Sequence, residues 1–225
     1  MAEIHEVWRY PVKSMAGEKL DATEVTERGL AGDRAWAVRD EVRGGIRGGK
    51  KIGGLMKLAA EYPEPPPSEG SGPATIRFED GSSAGTGDSD ISERISAALD
   101  HPVTLWPLVP EGDGSHYRRG APDHEDMETE LRAMFGREPG EPLPDLGTFP
   151  PELMANECPP GTYFDAFPLL FMTTRSLESM QALAPESRFD ARRFRPNFLV
   201  TDSDAAEAFP EAGWEGRRVR IGSAT

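Results

Sequence analysis

The sequence predicts a mainly β protein of the α+β class, because short strand-like runs follow one another and turn signals separate them. One such run is Thr75-Ile76-Arg77-Phe78, in which polar and apolar residues alternate as they do in a strand with one solvated face. This rhythm continues through the first hundred residues and favours a twisted sheet or small barrel over a helix bundle. The chain of 225 residues is long enough to bury a core of that kind.

Strands and a few helices are predicted along the rest of the chain. The pattern predicts strands at 4–12, 23–26, 35–39, 75–78, 103–106, 167–173, 197–201 and 217–221. It predicts helices at Ile91–Leu99, 124–135 and around 175–184, where apolar residues recur at helical spacing. Asp90 and Glu93 form a capping-box pattern at the first helix, Gly136 ends the second, and Pro185 ends the third.

The segment 109–161 differs from the rest of the chain, because it is rich in proline, glycine and acidic residues. Long connections of this composition are usually functional or mobile. We therefore expect a long excursion or lid that packs loosely over the protein and is its most mobile part.

The composition excludes several functional classes. The chain has 39 acidic and 25 basic side chains, and its net charge of −14 would repel a phosphate backbone, so nucleic acid is not an expected partner. No apolar run approaches the ~20 residues that span a bilayer, so we expect no membrane partner. Cys158 is the single cysteine, which excludes intrachain disulfides and multi-cysteine metal sites. We interpret Cys158 as an incidental loop cysteine and expect a cytoplasmic setting.

Two early clusters combine cations with hydroxyl or acidic groups. Lys13 and Ser14 follow a strand in Tyr10-Pro11-Val12-Lys13-Ser14 and could hold an oxyanion, although a solvated turn lysine is the simpler interpretation. Gly32-Asp33-Arg34 presents an acid and a base in a tight turn, either for a ligand or to pin the loop. The basic, glycine-rich tract 43–51 is either an anion cradle or a mobile hairpin tip.

A later cluster supplies further polar groups. It comprises Phe164-Asp165, the hydroxyls of Thr173, Thr174 and Ser176, and the run Arg195-Pro196-Asn197. Arg195 carries a planar fork of donors, and Asn197 carries a donor and an acceptor, which together suit a phosphate or a polar heterocycle. Helix capping for the hydroxyl residues and a turn role for Asn197 remain open.

Taken in order, these motifs resemble the MOSC superfamily, which includes the C-terminal part of molybdenum cofactor sulfurases. The resemblance rests on Tyr10-Pro11-Val12-Lys13-Ser14, Gly32-Asp33-Arg34, Thr173-Thr174-Arg175-Ser176-Leu177 and Phe194-Arg195-Pro196-Asn197. It implies a MOSC-type β-barrel with a few peripheral helices. An N-terminal MOSC-associated β-rich domain would cover 1–108, and the MOSC domain would cover 109–225.

The resemblance also implies a ligand and the residues that bind it. The ligand is the molybdenum cofactor, a molybdopterin. By their positions in the motifs, the cofactor-binding residues are Lys13, Ser14, Arg34, Asp165, Arg195 and Asn197. The family's reactive cysteine is expected beyond Thr225, and Cys158 lies too early in the chain to replace it.

Three functions follow as alternatives. The first is an oxidoreductase that reduces N-hydroxylated or related compounds, with electrons from a separate ferredoxin- or flavin-type donor. The second is a non-catalytic carrier of the cofactor or of sulfur. The third is an anion-binding β domain without molybdenum.

Overall fold

Strands from the two ends of the chain meet in one sheet. The computed structural model describes residues 2–148, 155–202 and 206–224. The strands are β1 (Ala2–Arg9), β2 (Glu18–Leu20), β3 (Val25–Thr26), β4 (Gly29–Leu30), β5 (Trp36–Asp40), β6 (Ala59–Glu61), β7 (Thr75–Arg77), β8 (Ser83–Gly85), β9 (Val103–Pro107), β10 (Phe171–Thr173) and β11 (Phe198–Asp202). The α-helices are α1 (Ile91–Leu99), α2 (Gly114–Tyr117), α3 (Met127–Phe135), α4 (Thr174–Leu183) and α5 (Ala191–Phe194), and 3-10 turns lie at Gly53–Lys57, Leu146–Thr148 and Pro210–Trp214.

The sheet that joins the two ends is mixed and has the order β10-β11-β1-β2. β11 pairs antiparallel with β1, with Phe198 opposite Val7, and parallel with β10, with Phe198 opposite Phe171. The backbone N–H of Trp8 also donates to the Asn197 carbonyl at 2.8 Å. The loop that follows β1 therefore lies beside the residues that precede β11.

Three smaller sheets complete the β structure: β3-β4, β5-β9 and β6-β7-β8. The bridges Val12↔Trp36 and Ala16↔Ala59 connect the loop after β1 to the second and third of these sheets. A mainly β fold with few helices is thus confirmed. The described strands do not form one closed barrel, so barrel closure stays a prediction.

The largest hydrophobic cluster fills the space between these small sheets and α1. Its fully buried members include Val12, Met15, Val38, Leu55 and Ile95. Ile91 and Ile95 lie one helical turn apart, so α1 turns one apolar stripe toward the cluster. Burial of each such side chain contributes about 1.5–3 kcal/mol. The loop that carries Lys13 is thereby fixed, because Val12 and Met15 flank it in the core.

Two predicted strands differ from the structure. The strand predicted at 167–173 is confined to β10, because Pro168 has no N–H and the Leu170 N–H donates to the Asn197 side chain at 3.1 Å. The prediction of a strand at 217–221 is wrong, since the segment forms only a bridge between Ile221 and Ala224. Its alternating pattern finds no partner strand within the described residues.

The helix predictions are confirmed in position but not in every detail. α1 has the predicted bounds, and α3 begins at Met127 and ends at Phe135, followed by the C-cap Gly136, whose φ is 60°. The capping box predicted for α1 is wrong, because the Asp90 side chain accepts no capping hydrogen bond. The backbone of Asp90, with φ −100° and ψ 4°, departs from the extended conformation that typical N-caps adopt.

The excursion 109–161 is anchored more firmly than predicted. Tyr117 and Cys158 are fully buried in a second cluster with Ala37, Ile46 and Tyr163. The expectation of loose packing is therefore wrong for both ends of the segment. Residues 149–154, which also belong to the predicted lid, lie outside the described residues. Along the described parts of the chain, no helix has the length and apolar character needed to cross a bilayer.

Candidate functional site

Three loops meet where the two ends of the chain pair. The first follows β1 and carries Lys13 and Ser14, the second is the turn with Arg34, and the third precedes β11 and carries Arg195. The Arg34 N–H donates to the Tyr10 carbonyl at 2.7 Å, and the Lys13 N–H donates to the Trp36 carbonyl at 2.8 Å. These backbone bonds bring together predicted site residues that are distant in the sequence.

A buried hub of Asp33 and Asn197 joins the three loops. Asp33 accepts hydrogen bonds from the Tyr10 N–H at 2.7 Å and from Asn197 Nδ2 at 3.1 Å, and it forms an ion pair with Arg34. Asn197 Nδ2 also donates to the Trp8 carbonyl at 3.2 Å. Asn197 is completely buried, so it lies beneath the site and holds the loops together. For Asp33, the loop-pinning interpretation is confirmed.

The backbone is strained at three of the predicted residues. Ser14, Arg34 and Arg195 adopt φ values of 66°, 48° and 57°, in the left-handed region that non-glycine residues rarely occupy. Among the described residues, the other non-glycine residue of this kind is Asp100, at the C-terminal cap of α1. Such strain, of order 1–3 kcal/mol at each residue, persists where surrounding contacts enforce it and clusters at ligand sites.

Two arginines contact the ring of Tyr10. The guanidinium carbons of Arg34 and Arg195 lie 5.0 Å and 4.7 Å from the ring centroid. Arg34 also donates to the Arg195 carbonyl at 3.4 Å and to Asn197 Oδ1 at 3.5 Å. Tyr10 is buried, and its hydroxyl donates to the Pro196 carbonyl at 3.0 Å, which fixes the ring between the loops.

Arg195 has hydrogen-bond donors that nothing in the described structure accepts. Its Nε and Nη2 atoms are buried and lack a partner. Burial lowers the pKa of Arg195 to about 10, and the nearby Arg34 cation acts in the same direction. Unpaired buried donors on a cation are unfavourable, and an anionic group would satisfy them.

Lys13 and Asp165 form an ion pair at the edge of this cluster. Lys13 is buried, and its Nζ donates to Asp165 and, at 3.1 Å, to the Tyr163 carbonyl. Burial lowers the pKa of Lys13, but the neighbouring Cys158 and Asp165 outweigh it and raise that pKa overall. Partial desolvation raises the pKa of Asp165, but Lys13, Lys50 and Arg34 outweigh it and lower that pKa to about 2.

The glycine-rich tract closes another side of the site. Ser14 Oγ accepts a hydrogen bond from the Gly49 N–H at 2.8 Å. A Cβ atom at Gly48 would lie 2.9 Å from Ser14 Oγ and 3.4 Å from Lys13 Cε, so a larger residue would force the Ser14 side chain to shift. Two of the tract's cations, Arg47 and Lys51, are bound in ion pairs away from the site. Lys50 remains exposed beside Asp165.

The structure adds residues that the sequence pattern did not identify. Tyr10 and Tyr163 position the cations through their ring and carbonyl, respectively. Tyr10 belongs to the motif that carries Lys13, and Tyr163 precedes Phe164-Asp165, but nothing in their spacing indicates these contacts. Glu157 also lies near Lys13, and burial raises the pKa of Glu157 despite the neighbouring Arg119 and Lys13 cations.

The hydroxyl cluster and the cysteine serve structural roles in this fold. Thr173 caps α4, since its hydroxyl accepts from the Ser176 N–H at 3.0 Å. Cys158 lies in a loop, as predicted, but it is fully buried there, and burial raises the pKa of its thiol to about 11. Within the described ranges, no three His, Cys, Asp or Glu side chains lie where they could hold a metal ion together.

Comparison with known families agrees with the sequence motifs. Residues 1–98 match the family model of the MOSC N-terminal beta barrel domain, and residues 159–225 match that of the MOSC domain. None of the curated proteins matches the chain. β1 and β11 come from these two matched segments, so the segments share a sheet in the structure. MOSC domains are associated with molybdenum cofactor sulfurase-like proteins, and this chain is a MOSC domain protein.

Proposed function

We propose that this protein binds a molybdenum-pterin cofactor where the three loops meet, in a cleft lined by Lys13, Ser14, Arg34 and Arg195. The observation that carries the proposal is the pair of buried, unpartnered donors on Arg195 beside Arg34. A phosphate-bearing pterin supplies the anionic acceptors that these donors lack. The chemistry of the residues in the cleft therefore fits the cofactor implied by the family.

Each predicted residue has a distinct part in this proposal. Lys13, Arg34 and Arg195 attract the anionic part of the cofactor, and Ser14 adds a hydroxyl beside the glycine wall. Asn197 has no exposed atom and acts by positioning Arg34 from beneath. Asp165 is exposed and ion-paired with Lys13, so it orients that lysine at the mouth of the cleft.

The proposed reaction is the reduction of N-hydroxylated or related compounds. The bound cofactor would supply a metal centre that exchanges electrons with the substrate. In the overall reaction two electrons and two protons enter, the N–O bond breaks, and water leaves. We propose that a separate ferredoxin- or flavin-type protein supplies the two electrons.

A carrier of the cofactor or of sulfur is the second candidate. A fully buried thiol with a raised pKa is a poor source of a thiolate, so we assign no reactive role to Cys158 in either candidate. Binding without turnover requires only the cation cluster. The third alternative, an anion-binding domain without molybdenum, requires the same cluster and no metal.

The test compares Arg195→Met with Arg188→Met in protein expressed where the cofactor is made. Arg195→Met removes both unpartnered donors, and two charge-assisted hydrogen bonds of about 1.5–3 kcal/mol each correspond to a loss in affinity of more than about a hundredfold. Molybdenum and pterin content should fall accordingly. Arg188 is 85% exposed, so Arg188→Met removes the same charge without this effect.

The same preparations separate the alternatives. Unfolding curves should show Arg195→Met to be at least as stable as the unloaded wild type, which excludes misfolding as the cause of cofactor loss. Equal molybdenum and pterin content in the wild type and in Arg195→Met would overturn the site assignment. Loaded protein that fails to reduce an N-hydroxylated amidine with a chemically reduced dye as electron source would favour the carrier.

A further inference from the structure

The glycine wall of the cleft is held in place by a network of ion pairs outside the cleft. Gly48 and Gly49 lie between Arg47 and Lys51, and both of these cations form ion pairs with acidic side chains. Arg47 Nη1 lies 3.0 Å from each carboxylate oxygen of Asp123, and Lys51 Nζ lies 3.0 Å from Asp123 Oδ2. The wall is therefore fixed at both of its ends by one acidic residue.

Glu130 completes the network from α3. One of its carboxylate oxygens pairs with Lys51, and the other accepts the N–H groups of Asp123 and His124 at 3.1 Å each. Glu130 is only 6% exposed, although it lies on an otherwise largely solvent-accessible helix. A buried carboxylate with three partners is costly to disturb, because a lost partner leaves its charge uncompensated.

A second contact ties the same helix to the same tract. The Lys50 ammonium lies 5.8 Å from the centroid of the Phe135 ring at the end of α3. Lys50 is the cation of the tract whose charge lowers the pKa of Asp165 at the mouth of the cleft. The helix thus contacts two consecutive residues of the tract, Lys50 and Lys51.

We propose that Glu130 is a positioning residue that, through Lys51, holds the Gly48–Gly49 wall against Ser14. The consequence is that α3, within the predicted lid segment, sets the geometry of the cleft from outside it. The wall is sensitive to this support because the Gly49 N–H donates to Ser14 Oγ and two glycines give the backbone little stiffness of their own. The effect of Glu130 on cofactor binding rests on the proposed function, but the contact between Glu130 and the glycine wall can be tested without a cofactor.

The first measurement is hydrogen exchange of the Gly49 amide in Glu130→Gln, with Glu128→Gln as the matched control. Glu128 lies on the same helix with its side chain 64% exposed, and it pairs with the solvent-accessible Arg132. Glu130→Gln should accelerate exchange at Gly49 by about tenfold or more, because loss of a buried ion pair frees the wall to open locally. Glu128→Gln should leave it unchanged.

The second measurement is the pterin content of the same variants after expression where the cofactor is made. Glu130→Gln should lower it by about fivefold or more in the wild-type background, in line with loosening of one wall of the site. Glu130→Gln should lower the pterin content little further in a Ser14→Gly background, because the hydroxyl that contacts the wall is already absent there. Ser14→Gly also relieves the strain of the backbone at φ 66°. A general loss of stability would instead lower the content in both backgrounds.

The outcomes separate this inference from the proposed function. Unchanged exchange at Gly49 in Glu130→Gln would overturn the inference, whatever the pterin content. Faster exchange with pterin retained at the wild-type level would overturn it as well. Faster exchange with no pterin in any preparation, wild type included, would support the positioning contact and contradict the proposed function. If Glu130→Gln does not fold, Asp123→Asn keeps Glu130 and should give the same two changes.

Discussion

The residues of the cleft are arranged at the expense of local stability. Ser14, Arg34 and Arg195 adopt left-handed backbone conformations, and Arg195 buries donors without acceptors. Each of these features is unfavourable by itself, so contacts elsewhere in the fold have to enforce it. Their coincidence at one place is the expected signature of a site prepared for an anionic ligand.

Asn197 supports that site from beneath, and its removal tests how strongly. Asn197→Ala removes the acceptor of the Leu170 N–H and one of the two donors to Asp33 Oδ2, the other being Arg34. We expect the free energy of unfolding to fall by about 2–4 kcal/mol, because a completely buried side chain loses several hydrogen bonds at once. Urea unfolding of the unloaded protein measures this loss.

Gln181→Ala is the control for Asn197→Ala. Gln181 also forms side-chain bonds to backbone groups, namely the carbonyls of Pro185 and Ser187, but these bonds are accessible to water. Water replaces them in the variant, so the loss should stay below about 1 kcal/mol. Equal losses in the two variants would show that the hub around Asn197 has no special importance.

At the level of elements, the ends of helices depend on contacts that the sequence pattern shows only in part. Gly136 ends α3 in the left-handed conformation, as predicted from its glycine. Thr173 caps α4 and also donates to Glu211 of the last 3-10 turn at 2.9 Å. Asp90 precedes α1 with suitable chemistry, but no capping bond forms. Composition therefore indicates where a helix begins, whereas the backbone conformation decides whether the residue caps it.

A pair of substitutions tests this distinction between the two caps. Thr173→Ala should lower the free energy of unfolding by about 1–2 kcal/mol, because it removes a capping acceptor. Asp90→Ala should change it by less than about 0.5 kcal/mol, as is usual for surface positions without such a bond. Urea midpoints of both variants provide the measurement, and an equal loss in both would contradict the assignment of the caps.

At the level of the whole molecule, acidic groups support the positions of the few buried cations. The chain carries a net charge of −14, yet Lys13, Arg47 and Lys51 each lie against carboxylates. Burial opposes the charged form of these acids, but the cations outweigh it and lower the pKa of Asp123 and Glu130 as they do for Asp165. Some of the acidic residues that give the chain its negative charge thus form ion pairs that hold the glycine tract against the excursion.

This arrangement predicts how stability depends on pH. A carboxylate whose folded-state pKa is depressed contributes stability above its unfolded pKa of about 4 and loses it as pH falls through the folded value. For Asp165 the folded value is about 2. We therefore expect the melting temperature to fall steadily between about pH 4 and pH 2.

Asp123→Asn identifies the contribution of the ion-pair network to this acid sensitivity. The variant should melt lower than the wild type at neutral pH but lose less stability on acidification, since one lowered carboxylate is absent. Asp21→Asn, at an exposed position, serves as the control and should follow the wild type. Parallel pH profiles for Asp123→Asn and the wild type would show that the network does not govern acid unfolding.

The amino-acid sequence by itself determined most of the elements and the identity of the cation cluster. Alternation and helical spacing located β5, β7, β9 and α1 closely, because local periodicity reports which face of an element is buried. The ordered motifs indicated Lys13, Ser14, Arg34, Arg195 and Asn197 as one set. The strand predicted at 217–221 failed, since a strand needs a neighbour and periodicity does not report one.

The tertiary structure alone decided how these residues are used. Pairing of β1 with β11 brings Tyr10 to Pro196 and Asn197 to Asp33, across more than 160 positions of sequence. The tertiary structure also decides that Asn197 is buried beneath the three loops and that Cys158 belongs to the core. The contact of the excursion with the glycine wall, through Glu130, is likewise visible only in the structure. The physical reason is that burial and hydrogen-bond partners are properties of long-range contacts, which local sequence pattern does not contain.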